Sequence, residues 1–290
     1  MIPFTEEATS RFVDTPSGTL HYHEYGEGHP VVFLHGSGPG ATGWSNFSEN
    51  IRALGAHFRC LAVDMPGWGR SAAVGPEDRC HHRTAVEFLD ALGIDSAAFI
   101  GNSMGGATCL KVAATAPERV THLVTMGAGG GGAKLFGPGD GPTEGLKVLQ
   151  RAYRDPSPES MRALVDIMTY DPAHAGDALA EERSRNAKSN PEHLANFISG
   201  IGKDRPHRAT DAELAAISVP SLIIHGRDDR VVHWENGLKL CTTIPDSRLV
   251  MINRCGHWAQ IEHADEFNQL VSGFVGAKTV ELPREDVLSR

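Results

Sequence analysis

The chain has 290 residues, of which 40% are hydrophobic and 22% charged, a composition ordinary for a globular protein. Its 27 basic and 36 acidic residues leave a formal net charge of −9, so the sequence has no electrostatic footprint for nucleic acid or an anionic membrane. No apolar run approaches the ~20 residues of a membrane helix, and the N-terminus lacks signal-peptide features, so we expect a cytoplasmic protein. The cysteines are scattered along the chain, and we expect them to be reduced thiols.

Short apolar runs rich in β-branched residues predict strands along most of the chain. After a predicted edge strand at 18–26, they lie at 31–36, 58–64, 97–101, 122–126, 221–226 and 247–252. The runs lack strict alternation, which indicates burial on both faces, as in a parallel sheet. Helical patterns separate them at 83–93, 104–117 and 263–276. This order predicts an α/β fold with a mostly parallel, doubly wound sheet.

The alternation of strands and helices stops between 128 and 215. Three amphipathic segments follow one another there without strands, at 143–155, 158–170 and 191–202. A helical insert in a sheet protein is best interpreted as a cap over the carboxyl ends of the strands, where ligands of such sheets bind. We therefore predict a core domain of 1–127 and 216–290 and a helical cap of 128–215.

A glycine run at 127–132 matches the dinucleotide-binding fingerprint after a strand. No helical pattern follows it, and no acidic residue ends a second strand about 20 positions on, as that fingerprint requires. We interpret the run as a hinge into the cap, and we expect no cofactor.

The sharpest local pattern is GNSMGG at 101–106, which follows a predicted strand and opens a predicted helix. A strand that turns into a helix at one residue crowds its neighbours, and Gly101 and Gly105 relieve that crowding. Ser103 then projects into the site, as the nucleophile of an α/β-hydrolase does. The pattern predicts this fold, in which the cap follows the sixth strand, with Ser103 as the nucleophile.

A serine nucleophile needs a general base and an orienting acid, which follow it in this fold in the order acid, then histidine. Asp228 and Asp229 follow the strand that ends at Gly226, and His257 follows the last strand. His257 would accept the serine proton, while a carboxylate holds its tautomer. Spacing separates the two aspartates only weakly. We favour Asp229, which lies three residues past Gly226, and expect Asp228 to be a structural partner.

An oxyanion hole needs two backbone N–H groups, one of them from the residue after the nucleophile. That residue is Met104. The second donor should come from the glycine-rich loop at 35–44, and we assign it to Ser37, with Gly38 close by.

Histidine pairs elsewhere raise the question of a metal site. His21 and His23 can share one strand face, and His81 and His82 are adjacent, but no third ligand is evident. We interpret them as surface histidines and predict no metal.

Longer stretches of the chain resemble the meta-cleavage-product hydrolases, which hydrolyse carbon–carbon bonds in bacterial aromatic degradation. The resemblance extends from about 20 to 274 and is carried by LHGSGPGATGWSNF, GNSMGGATCL, GRDDRVV and RCGHWAQIEHADEFN. It implies cleavage of 2-hydroxy-6-oxo-hexa-2,4-dienoates after ketonisation of the dienol, with Ser103, Asp229 and His257 as the triad. It also implies that the carboxylate and 2-hydroxyl end of the substrate is held by Asn46, Asn102, Arg183 and Trp258. We further expect a homo-oligomer, a dimer or larger.

The chain departs from the family where relatives often place aromatic residues around the variable substituent on C6 of the substrate. Met168 and Val231 stand there instead, so the sequence leaves that substituent open. Two other functions share the fold. A carboxylesterase would have the triad without a carboxylate clamp, and a non-catalytic binding protein is disfavoured by the complete triad.

Overall fold

The computed structural model describes residues 3–129, 136–137, 141–174, 176–201 and 208–277. In this part of the chain one eight-stranded sheet has the order β1-β2-β4-β3-β5-β6-β7-β8. The strands are β1 (Ser10–Thr15), β2 (Gly18–Tyr25), β3 (His29–Leu34), β4 (Phe58–Val63), β5 (Ala97–Asn102), β6 (Val120–Met126), β7 (Ser221–Gly226) and β8 (Ser247–Ile252). Only β2 runs antiparallel to its neighbours β1 and β4, and the other pairs are parallel. The predicted fold class, a mostly parallel α/β sheet, is confirmed.

Helices cover both faces of the sheet and fill the region between β6 and β7. They are α1 (Glu6–Thr9), α2 (Gly43–Leu54), α3 (His81–Ala91), α4 (Met104–Thr115), α5 (Glu144–Arg154), α6 (Pro158–Met168), α7 (Asp177–Ser189), α8 (Pro191–Ser199), α9 (Asp211–Ala215), α10 (Glu235–Thr243), α11 (Ala259–Glu262) and α12 (Ala264–Val275). No helix in the described ranges is long and apolar enough to cross a membrane.

Two hydrophobic clusters lie on the opposite faces of the sheet. On one face, Phe47 of α2 and Phe267 of α12 pack with alternate residues of the central strands. On the other, Phe88 of α3 and Leu110 of α4 pack with the remaining strand residues and with the helices that follow β6. The central strands are therefore apolar on both sides, which is why their sequences lack alternation.

The segment between β6 and β7 carries helices and no strand among its described residues. Thr143 and Ser157 cap α5 and α6 by accepting hydrogen bonds from backbone N–H groups of the first turn. The buried side of α5 joins the same hydrophobic cluster as α3 and α4, so this helical region packs on the core. The boundaries of the cap, 128–215, stay a prediction, and residues 130–132 of the glycine run lie outside the described part.

The interpretation of the paired histidines as surface residues is wrong for three of the four. His21 and His23 are each 1% exposed and His81 is 5% exposed. The Nδ1 atom of His21 lies 2.7 Å from Oδ2 of the buried Asp64, and the Nδ1 atom of His23 lies 2.9 Å from Oγ1 of Thr9. The first strand and α1, which the sequence pattern did not reveal, supply part of this covering. Polar partners therefore allow the imidazoles of His21 and His23 to be buried.

Candidate active site

Ser103 occupies the sharp turn between β5 and α4. Its backbone has φ 55° and ψ −112°, a strained conformation for a residue with a side chain. A Cβ at Gly101 would lie 2.4 Å from the carbonyl carbon of Gly105, and a Cβ at Gly105 would lie 2.0 Å from the carbonyl oxygen of Leu34. Both neighbours must therefore be glycine for the turn to form.

His257 and Asp229 form a buried pair beyond the ends of β8 and β7. The Nδ1 atom of His257 lies 2.7 Å from Oδ2 of Asp229, and the two residues are 3% and 6% exposed. The other carboxylate oxygen accepts hydrogen bonds from the backbone N–H groups of Val231 at 2.8 Å and Val232 at 2.9 Å. With Nδ1 as the donor, the Nε2 atom of His257 is left as the proton acceptor.

The carboxylate of Asp229 is held in its charged form. Burial alone would raise its pKa, but the charge of His257 and the hydrogen bonds from His225 and His257 outweigh that effect and hold the pKa below its ordinary value. An ionised Asp229 can stabilise the imidazolium that forms when His257 takes up a proton.

The neighbouring Asp228 points elsewhere. Its backbone N–H donates to the carbonyl of Cys255, and its carboxylate, 31% exposed, lies 3.7 Å from Nε of Arg227. The structure therefore places Asp229, and not Asp228, against His257.

Most of the predicted site residues line one cavity. It is lined by Gly36, Ser37, Gly38, Asn46, Asn102, Ser103, Leu149, Met168, Arg183, His257 and Trp258. The sequence analysis missed Gly36 and Leu149. Leu149 lies on the buried side of α5, but the helical pattern alone does not tell which buried residue faces a cavity. Three predicted residues, Asp229, Met104 and Val231, are not among its lining residues.

Val231 contacts Asp229 and does not line the cavity. Its N–H donates to Asp229, its carbonyl accepts the hydroxyl of Thr143, and a Cβ at Gly145 would lie 2.6 Å from its side chain. Met104 is the first residue of α4, directly after Ser103, and is partly buried.

Arg183 is a buried cation in the cavity wall, on α7, and is 1% exposed. Its Nη1 donates to the carbonyl of Pro39 at 3.4 Å, while its Nε has no partner. Among the described residues, no carboxylate forms an ion pair with it. Burial lowers its pKa to about 10, although the negative charge of Glu182 acts in the opposite direction. The guanidinium is thus still charged at neutral pH and has no counter-ion among the residues that the structure describes.

Two asparagines that line the cavity, Asn46 and Asn102, differ in the hydrogen bonds that their side chains make. The Nδ2 of Asn102 donates to the carbonyls of Met126 at 3.3 Å and His257 at 3.1 Å, which leaves its buried Oδ1 without a partner. The Nδ2 of Asn46 donates to the carbonyl of Thr42, in the first turn of its own helix. Asn102 therefore offers a free acceptor to a bound hydroxyl group.

The loop after β3 is fixed by the imidazole of His35. Its Nδ1 donates to the carbonyl of Gly36 at 2.8 Å, and its Nε2 accepts the backbone N–H of Met65 at 2.9 Å. Both bonds together require the neutral ring with its proton on Nδ1. Burial lowers the pKa of His35 to about 4, so the ring stays neutral near pH 7.

Within the residues that the structure describes, no group of three or more histidine, cysteine, aspartate or glutamate side chains could hold a metal ion. The arrangement of a strained serine, a histidine–aspartate pair and a buried arginine is suited to nucleophilic attack on an anionic substrate.

Comparison with known proteins gives one family match and relatives that align over nearly the whole of both chains. The alpha/beta hydrolase fold family matches residues 29–264. A 2-hydroxy-6-oxononadienedioate/2-hydroxy-6-oxononatrienedioate hydrolase from Cupriavidus pinatubonensis is 42% identical, covering 94% of this chain and 97% of the relative. The enzyme of the same name from Klebsiella pneumoniae is 44% identical, covering 94% and 98%.

Solved structures agree with these matches. A meta-cleavage product hydrolase from Pseudomonas fluorescens superposes with a TM-score of 0.80 at 33% identity, covering 92% of this chain and 97% of that chain. The 2-hydroxy-6-oxo-6-phenylhexa-2,4-dienoate hydrolase of a Rhodococcus strain gives a TM-score of 0.80 at 27% identity, covering 92% and 99%.

Proposed function

The chain belongs to the α/β-hydrolase fold family and, within it, to the meta-cleavage product hydrolases, and from this membership we propose how its residues carry out that reaction. The enzyme hydrolyses a carbon–carbon bond in 2-hydroxy-6-oxo-hexa-2,4-dienoates, with a serine-type mechanism. The products are 2-hydroxypenta-2,4-dienoate and a carboxylic acid.

The observation that carries the substrate class is the uncompensated charge of Arg183. A buried guanidinium without a counter-ion is costly unless an anion pairs with it when the site is occupied. Arg183 lines the same cavity as Ser103 and His257 and has an unpartnered Nε. A dienoate carboxylate supplies the missing anion, whereas a neutral ester does not. The free Oδ1 of Asn102 is then available to the 2-hydroxyl group, with Asn46 and Trp258 completing that end of the cavity.

The reaction begins with ketonisation. In this step the hydroxyl group on C2 of the dienol loses its proton and C5 gains a proton. The product is a 2,6-dioxo-3-enoate whose carboxylate is bound to Arg183. The new C2 carbonyl is the electron sink for the later step, because the C3–C4 double bond conjugates it with C5.

Cleavage follows by nucleophilic attack at C6. His257 takes the proton of Ser103 as its oxygen bonds to C6, and the backbone N–H groups of Ser37 and Met104 stabilise the oxyanion. The C5–C6 bond then breaks, its electron pair passes to the C2 oxygen through the conjugated system, and protonation gives the hydroxydienoate. Water activated by His257 releases the acid from Ser103. Asp229 holds the imidazole throughout.

We propose a nonadienedioate as the first substrate to test. The relatives at 42% and 44% identity are named for that compound, in which the substituent on C6 ends in a second carboxylate. Leu149 and Met168 are the apolar side chains available to that substituent in the cavity, and Arg183 is the only arginine or lysine among the described lining residues.

We also propose a cytoplasmic homo-oligomer. The five cysteines are free thiols, as in a reducing compartment. β8 is the last strand of the sheet, and Met251 on it is 40% exposed, which leaves an apolar position at that edge. Light scattering after size exclusion measures the subunit number, and a monomer at micromolar concentration would contradict the proposal.

The decisive experiment follows the absorbance of coloured dienoates. Purified enzyme is given a panel that differs only at C6 (methyl, phenyl and carboxyethyl), with a neutral aryl ester for comparison. We expect kcat/KM for the best dienoate to exceed that for the ester, and Ser103→Ala to bind the dienoate while losing nearly all turnover. A wild-type enzyme that hydrolyses the ester and leaves every dienoate intact would be a carboxylesterase.

A further inference from the structure

Tyr153 links the helical region between β6 and β7 to the loop that carries Ser37. It lies on α5 and is 2% exposed. Its hydroxyl donates to the carbonyl oxygen of Ser37 and accepts the indole N–H of Trp68 at 3.1 Å. Its ring stacks on Phe197 of α8, with the centroids 3.9 Å apart and the planes within 7°. The hydroxyl is thus aimed by contacts on both of its sides.

The bond from Tyr153 complements the bond from His35. His35 holds the carbonyl of Gly36, and Tyr153 holds the carbonyl of Ser37, so two consecutive peptide planes are fixed. In a planar trans peptide the C=O and the N–H of the next residue point in opposite directions. His35 therefore fixes the direction of the Ser37 N–H, and Tyr153 fixes that of the Gly38 N–H.

The two anchors come from different parts of the molecule. His35 directly follows β3 and is fully buried in the core, while Tyr153 belongs to the helices inserted after β6. If those helices shift, the core anchor remains, but the peptide after Ser37 is released and can rotate. The backbone of Ser37 is held in one conformation only when both anchors are made.

We propose that Tyr153 is a positioning residue through which the docked cap sets the geometry of the oxyanion loop. The proposal rests on the proposed function, in which the N–H of Ser37 is an oxyanion donor. His35 sets the direction of that N–H, and Tyr153 acts on it indirectly, by holding the peptide on the other side of the Ser37 Cα atom. It predicts a loss of transition-state stabilisation when the hydroxyl is removed, with little loss of substrate binding, because Arg183 still holds the carboxylate.

The hydroxyl is suited to this task over a wide pH range. Burial raises the pKa of Tyr153 far above its ordinary value, so the group keeps its proton and remains a donor. The indole N–H of Trp68 occupies the oxygen from the other side, which directs the hydroxyl proton to Ser37.

The test is Tyr153→Phe, which removes the hydroxyl and keeps the ring stacked on Phe197. Loss of a direct oxyanion donor typically lowers kcat about 10²–10³-fold, and we expect about a tenfold loss for a residue that acts through the loop. KM should stay close to the wild-type value, whereas Tm should fall by a few degrees because the carbonyl of Ser37 and the indole N–H of Trp68 lose a buried partner. The dienoate affinity of Ser103→Ala should not change when Tyr153→Phe is added. The matched control is Tyr170→Phe, since the side chain of Tyr170 is 47% exposed on the same inserted region.

The aryl ester separates failure of this inference from failure of the proposed function. Its hydrolysis uses the same oxyanion donors, so Tyr153→Phe should lower kcat for the ester as well, even if the enzyme cleaves no dienoate. Trp68→Phe, which removes the N–H that orients the tyrosine together with part of the buried indole, should lower kcat in the same direction by a smaller factor and should also lower Tm. It replaces Tyr153→Phe if that variant does not fold. Unchanged kcat for both reactions, or a loss confined to KM and Tm, would overturn the proposal.

Discussion

The guanidinium of Arg183 lies over the indole of Trp258, with its central carbon 4.5 Å from the ring centroid. One residue belongs to α7, and the other directly follows His257 in the loop after β8. A cation stacked on an aromatic face regains part of the electrostatic energy lost on burial, and its N–H groups remain free at the edge of the plane. The contact therefore orients the guanidinium of Arg183 in the cavity that His257 also lines, without occupying all of its N–H donors.

Arg183→Ala should lower kcat/KM for a dienoate at least tenfold. Removing one partner of a buried charged pair costs about 2–5 kcal/mol, and the carboxylate loses its bidentate contact. A neutral aryl ester makes no such contact, so its hydrolysis should change little. Arg183→Lys should rescue only part of the loss. The control is Arg185→Ala, whose side chain is 69% exposed on the same helix. Equal slowing of both substrates, or of neither, would contradict the assignment.

Asp229→Asn should lower kcat by roughly 10⁴-fold, the cost of losing the correct histidine tautomer in a serine triad. Asp228→Asn is the matched control one residue away, because its carboxylate lies against Arg227 and not against His257. Steady-state kinetics on the dienoate measure both. Comparable losses in the two variants would show that position 229 has no special relation to His257.

Met168→Ala should shift the preference among C6 substituents toward larger groups, because its side chain lines the cavity and the truncation leaves space. The backbone carbonyl of Met168, which accepts the N–H of His257 at 2.7 Å, is unaffected by that change. Val231→Ala should alter the preference less, since Val231 lies behind Asp229. The readout is the ratio of kcat/KM for phenyl and methyl substrates. A larger shift from Val231→Ala than from Met168→Ala would refute this order.

Stability should fall as the pH is lowered from 6.5 to about 4. Burial lowers the pKa of His23 from its ordinary 6.5 to about 4, so in this range the unfolded chain binds a proton that the folded protein does not. The contribution is complete above pH 6.5 and amounts to at most about 3 kcal/mol.

Denaturant unfolding at several pH values tests this, with His23→Gln as the variant and exposed His57→Gln as the control. The slope of unfolding free energy against pH should flatten only in His23→Gln. An equal slope in all three proteins would assign the acid sensitivity to other groups.

The fold and the strand–turn–helix context of Ser103 could be predicted from local sequence pattern. The strand, the turn with Gly101 and Gly105 and the following helix are contiguous in the chain, so their pattern is visible in the sequence, although the space at Gly105 is bounded by Leu34 of another strand. The order of Ser103, Asp229 and His257 followed from the same logic, since parallel strands bring their carboxyl ends to one edge of the sheet. Chain order is sufficient for such features because each of these residues follows the end of a strand, and the parallel strands end at the same edge of the sheet.

Contacts between distant segments were decided by the tertiary structure. Asp228 and Asp229 are adjacent in the chain, yet only one meets His257. Tyr153 and Ser37 are 116 residues apart and meet through a hydrogen bond. The burial of His21 depends on Asp64, a partner 43 residues away. A side chain's partner depends on how helices pack onto the sheet, and that packing sums many weak contacts which no short segment of sequence contains.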